Sequence, residues 1–269
     1  MTVVRETPGQ PPERPPDQPP GQPKILNRTG GATIAFHTTQ GRSPGVVFLG
    51  GFRSDMTGTK AMALEAACKD AGRAFTRFDY FGHGASSGDF TDGTIGRWRE
   101  DAIAVLDELT EGPQVLVGSS MGGWIMLLAA LARPGRVHAL VGIAAAPDFT
   151  EDLMWDGLDE RMKAALREDG VYHVPSEYGE EPYPITLRLI EEGRDHLLLR
   201  APIALRCPVR LIHGLEDPDV PWDQSLRLAR ALEGPDVTVT LVKDAVHRLA
   251  EPRDIARLIA TVDEVCGLF

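Results

Sequence analysis

The chain has 269 residues, 42% hydrophobic and 25% charged, an ordinary globular composition that favours one large α/β domain, with or without a small insertion, over two equal domains. A net charge of −11 argues against nucleic acid as a partner, because phosphate contacts need clustered Lys and Arg. Three cysteines, Cys68, Cys207 and Cys266, are odd in number, far apart and without CxxC spacing. They point away from a disulfide framework or a zinc site and toward a reducing compartment, with the cytoplasm as the expected location.

Residues 1–24 hold eight of the 21 prolines and no apolar periodicity, so an extended Pro-rich tail is expected there. The segment lacks the apolar stretch of a secretory signal, and its acidic residues fit a mitochondrial transit peptide poorly. No later apolar run approaches the roughly 20 residues of a membrane span, so no stable membrane insertion is expected.

From Gly30 onward short apolar runs alternate with amphipathic stretches. Strands are predicted at residues 45–50, 74–80, 114–118, 138–144, 209–214 and 237–242. Helices are predicted at 60–72, 98–109, 121–132, 222–232 and 252–262. Such alternation predicts a mostly parallel central sheet with helices on both faces. Residues 148–200 break the alternation, with 14 acidic against 6 basic side chains, and so carry −8 of the net −11. Helical pieces near 159–167 and 184–192 flank a Gly/Pro/Tyr-rich stretch there. An insertion at the carboxyl edge of a parallel sheet is the natural place for a small helical cap over a ligand. The expected division is therefore a core of 25–147 and 201–269 with a cap at 148–200.

The sharpest local signal is Val117-Gly118-Ser119-Ser120-Met121-Gly122-Gly123-Trp124. Gly118, Ser120 and Gly122 fit G-x-S-x-G between a predicted strand and a predicted helix. There a strained turn lifts the nucleophile above the sheet, and small residues on either side let the backbones cross. Ser119 is excluded, since Val117 and Met121 stand at its corresponding positions. Ser120 is the predicted nucleophile, and the Met121 N–H at the helix start is one predicted oxyanion donor. The Phe52 N–H, in Gly50-Gly51-Phe52 after the first predicted strand, is the other. The first of these three positions is often His in such enzymes and is Gly50 here.

A serine needs a base and an orienting acid, which follow such an elbow in the order acid, then His. Asp217, in His213-Gly214-Leu215-Glu216-Asp217-Pro218-Asp219-Val220-Pro221, stands beyond a strand end and is preferred to Glu216, Asp219 and Asp244. His247 follows the last predicted strand. His37 and His83 precede the serine, His138 lies in a strand, His173 and His196 fall in the insertion, and His213 sits at a strand end, better placed for a hydrogen bond than for catalysis. Asp79-Tyr80-Phe81-Gly82-His83-Gly84-Ala85-Ser86 reads as an architectural turn. In the insertion, Trp155 and Tyr178 are the candidate substrate-wall residues, with Phe149, Met154, Tyr172 and Tyr183 as further apolar candidates. The proposed chemistry needs no metal or organic cofactor.

Asp79-x-x-Gly82-x-Gly84-x-Ser86, Gly118 to Gly123 and His213-Gly214-x-x-Asp217-x-x-Val220-Pro221 together resemble the α/β-hydrolase superfamily. More narrowly, Gly58-Thr59-Lys60-Ala61, Arg77-Phe78-Asp79-Tyr80, Val117 to Trp124 and Val220-Pro221-Trp222 resemble mammalian mitochondrial acyl-protein thioesterases, known also as acyl-glucuronide esterases. The likeness runs from about Ser43 to the last helix and thins in the insertion. It implies an α/β-hydrolase fold, Ser120, Asp217 and His247 as the matching triad, and hydrolysis of a small-molecule or acyl-chain ester or thioester. Alternative readings are a small-molecule carboxylesterase, a C–C bond hydrolase, or a low-turnover ligand-binding protein on the same fold.

Overall fold

The computed structural model describes residues 21–174 and 182–268. Strand β1 (Lys24–Asn27) leads into β2 (Thr33–Thr39), β3 (Arg42–Leu49), helix α1 (Thr59–Asp70), β4 (Arg73–Phe78), α2 (Ile95–Leu109), β5 (Gln114–Ser119), α3 (Met121–Ala132) and β6 (Val137–Ile143). A π-helical turn (Thr150–Trp155) follows, then α4 (Glu160–Asp169), β7 (Val171–Val174), β8 (Tyr183–Thr186) and α5 (Leu187–Gly193). The chain ends with β9 (Val209–Gly214), α6 (Asp223–Ala231), β10 (Val237–Val242) and α7 (Pro252–Cys266). One eight-stranded sheet has the order β1-β2-β4-β3-β5-β6-β9-β10. Pairing is parallel from β4 through β10 and antiparallel at the β1 and β2 edge.

Period-two alternation of the strands divides the apolar core between the sheet's two faces. Val47 and Leu49 of β3 and Leu116 of β5 join Trp98, Val105, Trp124 and Leu127 of α2 and α3 on one face. Val46, Phe48, Val115 and Val117 join Leu64 and Cys68 of α1 and Leu258 and Val262 of α7 on the other. Because the central strands are covered on both sides, they read as unbroken apolar runs, which is why they were visible in the sequence.

Four local expectations change. Lys24 already pairs in β1, so a strand begins one residue inside the boundary expected for the tail; residues 1–20, where most of that tail falls, lie outside the described part. The β1–β2 pair is not among the predicted strands, since β1 has four residues and β2 mixes polar with apolar positions rather than forming an apolar run. Helix α2 starts at Ile95, three residues early, because the Thr94 side chain caps it by accepting from the Arg97 N–H. Residues 184–186 are strand, not helix: Tyr183–Thr186 pairs antiparallel with Val171–Val174, and Thr186 then caps α5 through the Leu189 N–H.

Residues 148–200 are closed on themselves at their base and tied to the rest of the chain by contacts from α5 and the turn after it. Asp148, fully buried and with φ +62°, accepts from the Leu198 N–H at 2.7 Å, the Leu199 N–H at 2.9 Å and Arg200 at 3.2 Å. The Glu192 carboxylate accepts the Gly96 N–H at the start of α2 at 2.9 and 3.1 Å, where the helix dipole favours an anion. The Trp124 indole N–H donates to the His196 carbonyl at 3.0 Å.

Candidate active site

Ser120 sits between β5 and α3 with φ +53° and ψ −119°, a conformation that a residue with a side chain adopts only when its surroundings enforce it. The enforcement is a set of backbone hydrogen bonds. The Ser120 N–H donates to Ile143 at 2.9 Å, while its carbonyl accepts from Gly123 at 2.8 Å and Ala146 at 3.1 Å. Close approach accounts for the glycines. A Cβ on Gly122 would collide with the Leu49 carbonyl and lie 2.5 Å from the Gly50 oxygen; one on Gly118 would lie 2.7 Å from the Gly123 Cα.

The downstream loops bring the other two groups to this point. His247 Nε2 lies 3.1 Å from Ser120 Oγ, and His247 Nδ1 lies 2.8 Å from Asp217 Oδ2. Among Glu216, Asp217, Asp219 and Asp244, it is Asp217 whose carboxylate meets the imidazole. Its other oxygen accepts the Asp219 and Val220 N–H groups, each at 2.9 Å, so the Pro218-Asp219-Val220 turn wraps the carboxylate. Asp217, Asp219 and His247 also have potential ligand atoms within 4.8 Å of one another, but Asp217 Oδ2 and His247 Nδ1 already bond each other.

Burial by itself would raise the Asp217 carboxyl. Hydrogen bonds from His213 and His247, the His247 charge and the Val220 amide outweigh it and hold the group well below the usual carboxylate range. The folded value lies under the unfolded one of about 4, so ionised Asp217 contributes stability above that pH and loses it as pH falls through the depressed value. Asp217→Asn is therefore expected to unfold at lower urea than wild type at pH 7, with the gap narrowing below about pH 4. A gap of constant size down to about pH 2 would contradict the depressed carboxyl.

The loop after β3 faces the same serine: a Cβ on Gly51 would lie 3.4 Å from Ser120 Cβ. Among the described residues neither the Phe52 nor the Met121 N–H has a protein acceptor. The Phe52 ring is anchored at edge-on angles to Phe90, Phe149, Trp98 and Tyr183, with centroids 4.9 to 6.2 Å away. Arg53, at φ +57°, donates its N–H to His83 Nε2 at 3.3 Å, and His83 Nδ1 lies 3.1 Å from the Phe81 carbonyl. Asp79 accepts from the Met56 N–H at 2.7 Å and the Ala85 N–H at 2.8 Å. The turn read as architectural thus braces the 50–56 loop. The quoted 79–86 motif was the available signal, but sequence alone does not show that its partner lies thirty residues upstream.

The predicted wall residues fare differently. Phe149 and Tyr183 join the aromatic group around Phe52, and Phe149 also meets Trp124. The Trp155 ring is instead flanked by Lys163, Arg167 and Arg194 at 5.0 to 5.4 Å. It packs with Tyr172 and Tyr183 beside Leu166, Ile185 and Ile190. Tyr178 lies outside the described residues.

Comparison with known proteins agrees with this fold. Residues 60–189 match the family model described as alpha/beta hydrolase fold. Palmitoyl-protein thioesterase ABHD10, mitochondrial, of mouse is 44% identical over 242 residues, covering 90% of this chain and 81% of the relative. The solved structure of alpha/beta hydrolase domain-containing protein 10 from mouse superposes with a TM-score of 0.85 at 43% identity, over 91% of this chain and 98% of that one. A putative hydrolase from Agrobacterium vitis S4 superposes with a TM-score of 0.86 at 41% identity, over 90% of this chain and 97% of that one. The mammalian relatives are named as mitochondrial proteins, which corrects the cytoplasmic expectation. Reduced cysteines mark a redox environment, and that environment is not unique to one compartment.

Proposed function

The chain belongs to the α/β-hydrolase family and is an ester or thioester hydrolase, and we propose that it deacylates fatty-acyl thioesters with Ser120 as nucleophile, His247 as base and Asp217 as orienting acid. The observation that carries this reading is the continuous line of hydrogen bonds from Ser120 Oγ through His247 to Asp217. His247 Nε2 takes the Oγ proton as Oγ attacks the acyl carbonyl. The carbonyl oxygen becomes an oxyanion held by the Phe52 and Met121 amides, preorganised donors that need no rearrangement as charge develops. Collapse of the tetrahedral intermediate breaks the bond to sulfur or oxygen, and His247 returns the proton to the departing thiol or alcohol. Water then repeats the cycle on the acyl-serine and releases the acid. Asp217 keeps the His247 Nδ1 proton facing itself and stabilises the imidazolium of each step.

Two further points support a fatty acyl group. The relatives bear the name palmitoyl-protein thioesterase, and an aromatic group of Phe52, Phe90, Trp98 and Phe149 stands beside the proposed oxyanion amide. In this reading residues 148–200 form a cap whose Phe149 and Tyr183 contribute to the acyl wall. Trp155, engaged by three cations, has a role within the cap itself.

Matched p-nitrophenyl esters, acyl thioesters, acyl glucuronides and a vinylogous diketone, at several chain lengths, test the substrate class. The expected result is a kcat/KM for a long-chain acyl thioester at least about tenfold above that for the matched oxyester or glucuronide, a difference of about 1.4 kcal/mol in transition-state binding. An oxyester preference would move the assignment to a carboxylesterase. A preference for the diketone would move it to a C–C bond hydrolase.

A further inference from the structure

His213 is the other imidazole on Asp217. It occupies the end of β9 with no solvent exposure. Its Nε2 lies 3.2 Å from Asp217 Oδ2 and 3.0 Å from the Val220 carbonyl, and its Nδ1 lies 2.7 Å from Ser225 Oγ on α6. Ser225 is itself fully buried.

The partners decide where the proton resides. Val220 O and the ionised Asp217 can only accept, so Nε2 must carry the hydrogen; an Nε2 lone pair there would face two acceptors in a buried space. Ser225, whose hydroxyl both donates and accepts, completes the ring from the other side. The imidazole is therefore locked by a strand, a helix and a turn, with its N–H shared between the Val220 carbonyl at 3.0 Å and Asp217 Oδ2 at 3.2 Å.

We infer that His213, held by Ser225, is a positioning residue that aims the Asp217 carboxylate at His247. The inference rests on Asp217 being the orienting acid. The Asp219 and Val220 amides hold Oδ1 and so restrain the carboxylate through one oxygen only; Oδ2, the oxygen that meets His247, needs a contact of its own to hold it against small rotations of the side chain. His213, fully buried, supplies that restraint on the same oxygen that His247 meets. Without it Oδ2 can turn toward the vacated space, and His247 loses the alignment that keeps Nε2 facing Ser120. His213 has no solvent exposure and so does not reach substrate, which leaves substrate binding untouched. The effect therefore falls on kcat, since small misplacements of a catalytic group cost up to about 100-fold while binding persists.

The test is steady-state kinetics of purified His213→Leu, His213→Gln and Ser225→Ala on whichever p-nitrophenyl ester or acyl thioester the wild-type enzyme turns over, together with Asp217→Asn alone and combined with His213→Leu. His213→Leu is expected to lower kcat roughly 10- to 100-fold with KM within about twofold. Gln, whose amide reaches to about the position of Nε2, is expected to recover most of that loss. Ser225→Ala is expected to lose less than His213→Leu, again in kcat. In the Asp217→Asn background the His213→Leu substitution should add little, because partners acting through one group are not additive.

Equal kcat in wild type and a folded His213→Leu, or an undiminished His213 effect in Asp217→Asn, would overturn the inference. If His213→Leu does not fold, a folded His213→Gln with near wild-type kcat supports the inference. A folded Gln variant impaired as severely as Asp217→Asn overturns it. Retained activity in Asp217→Asn alone would instead sink the assignment of Asp217, a separate failure that the same series identifies.

Discussion

Ser120→Ala is expected to lower kcat for ester or thioester hydrolysis by about 10⁴- to 10⁶-fold while leaving the melting temperature nearly unchanged. The methyl keeps the Cβ, so the backbone at φ +53° is no more strained than before, and the bonds to Ile143, Gly123 and Ala146 involve only main-chain atoms. What disappears is the oxygen 3.1 Å from His247 Nε2. Ser119 offers no substitute, because it lies in β5 and is flanked by Val117 and Met121 where an elbow needs small residues. The residual rate reflects the amide donors and binding alone. A fluorophosphonate probe gives the direct reading: wild type labels and Ser120→Ala does not. Equal labelling of the two would remove Ser120 as the nucleophile.

Gly122→Ala is expected to have the largest effect on folding. The added carbon would collide with the Leu49 carbonyl and sit 2.5 Å from the Gly50 oxygen, both backbone atoms at the end of a central strand. Neither can retreat as a flexible side chain would. The crossing of α3 over β3 must open, at a cost of about 3 kcal/mol or more. For a chain of this size that is a fall of roughly 6–12 °C in melting temperature. Activity should fall further than stability, because the strand end that must shift leads into Gly51 and Phe52 beside Ser120. Gly135→Ala is the control, since a Cβ there would meet nothing within 4 Å; its melting temperature should stay within about 2 °C of wild type. A Gly122→Ala protein as stable and active as wild type would mean that the helix and strand do not approach as closely as described.

The contrast between these residues and others explains how much could be read from the sequence. That Ser120, Asp217 and His247 come together was legible because local spacing and chain order carry that information. The central strands were found because burial on both faces leaves an apolar run. The antiparallel strands β1 and β2 and the hairpin of β7 with β8 lack the unbroken apolar run of the central strands, so pairing partners, not composition, make them strands. His83 on Arg53, Glu192 on Gly96 and His213 on Ser225 are meetings between distant or unremarkable positions, with no spacing rule to announce them. Trp155 shows the limit from the other side. Its aromatic ring suggested a substrate wall, whereas the cations that cover it come from α4 and from the turn after α5.

The contacts of Asp148 have a consequence for how this chain can vary. The backbone departs from the sheet at Asp148 and returns at Leu198 and Leu199 within reach of one carboxylate. Both ends of the excursion are thereby pinned together, and its contour length hardly matters to closure: doubling such a loop costs only about 0.6 kcal/mol in chain entropy. Insertions or deletions between these two points should therefore be tolerated as long as Asp148, the returning amides and the Glu192 and His196 contacts to the core remain. The length of this segment can then diverge rapidly while the Ser120, His247 and Asp217 geometry beneath it stays under separate and stricter selection.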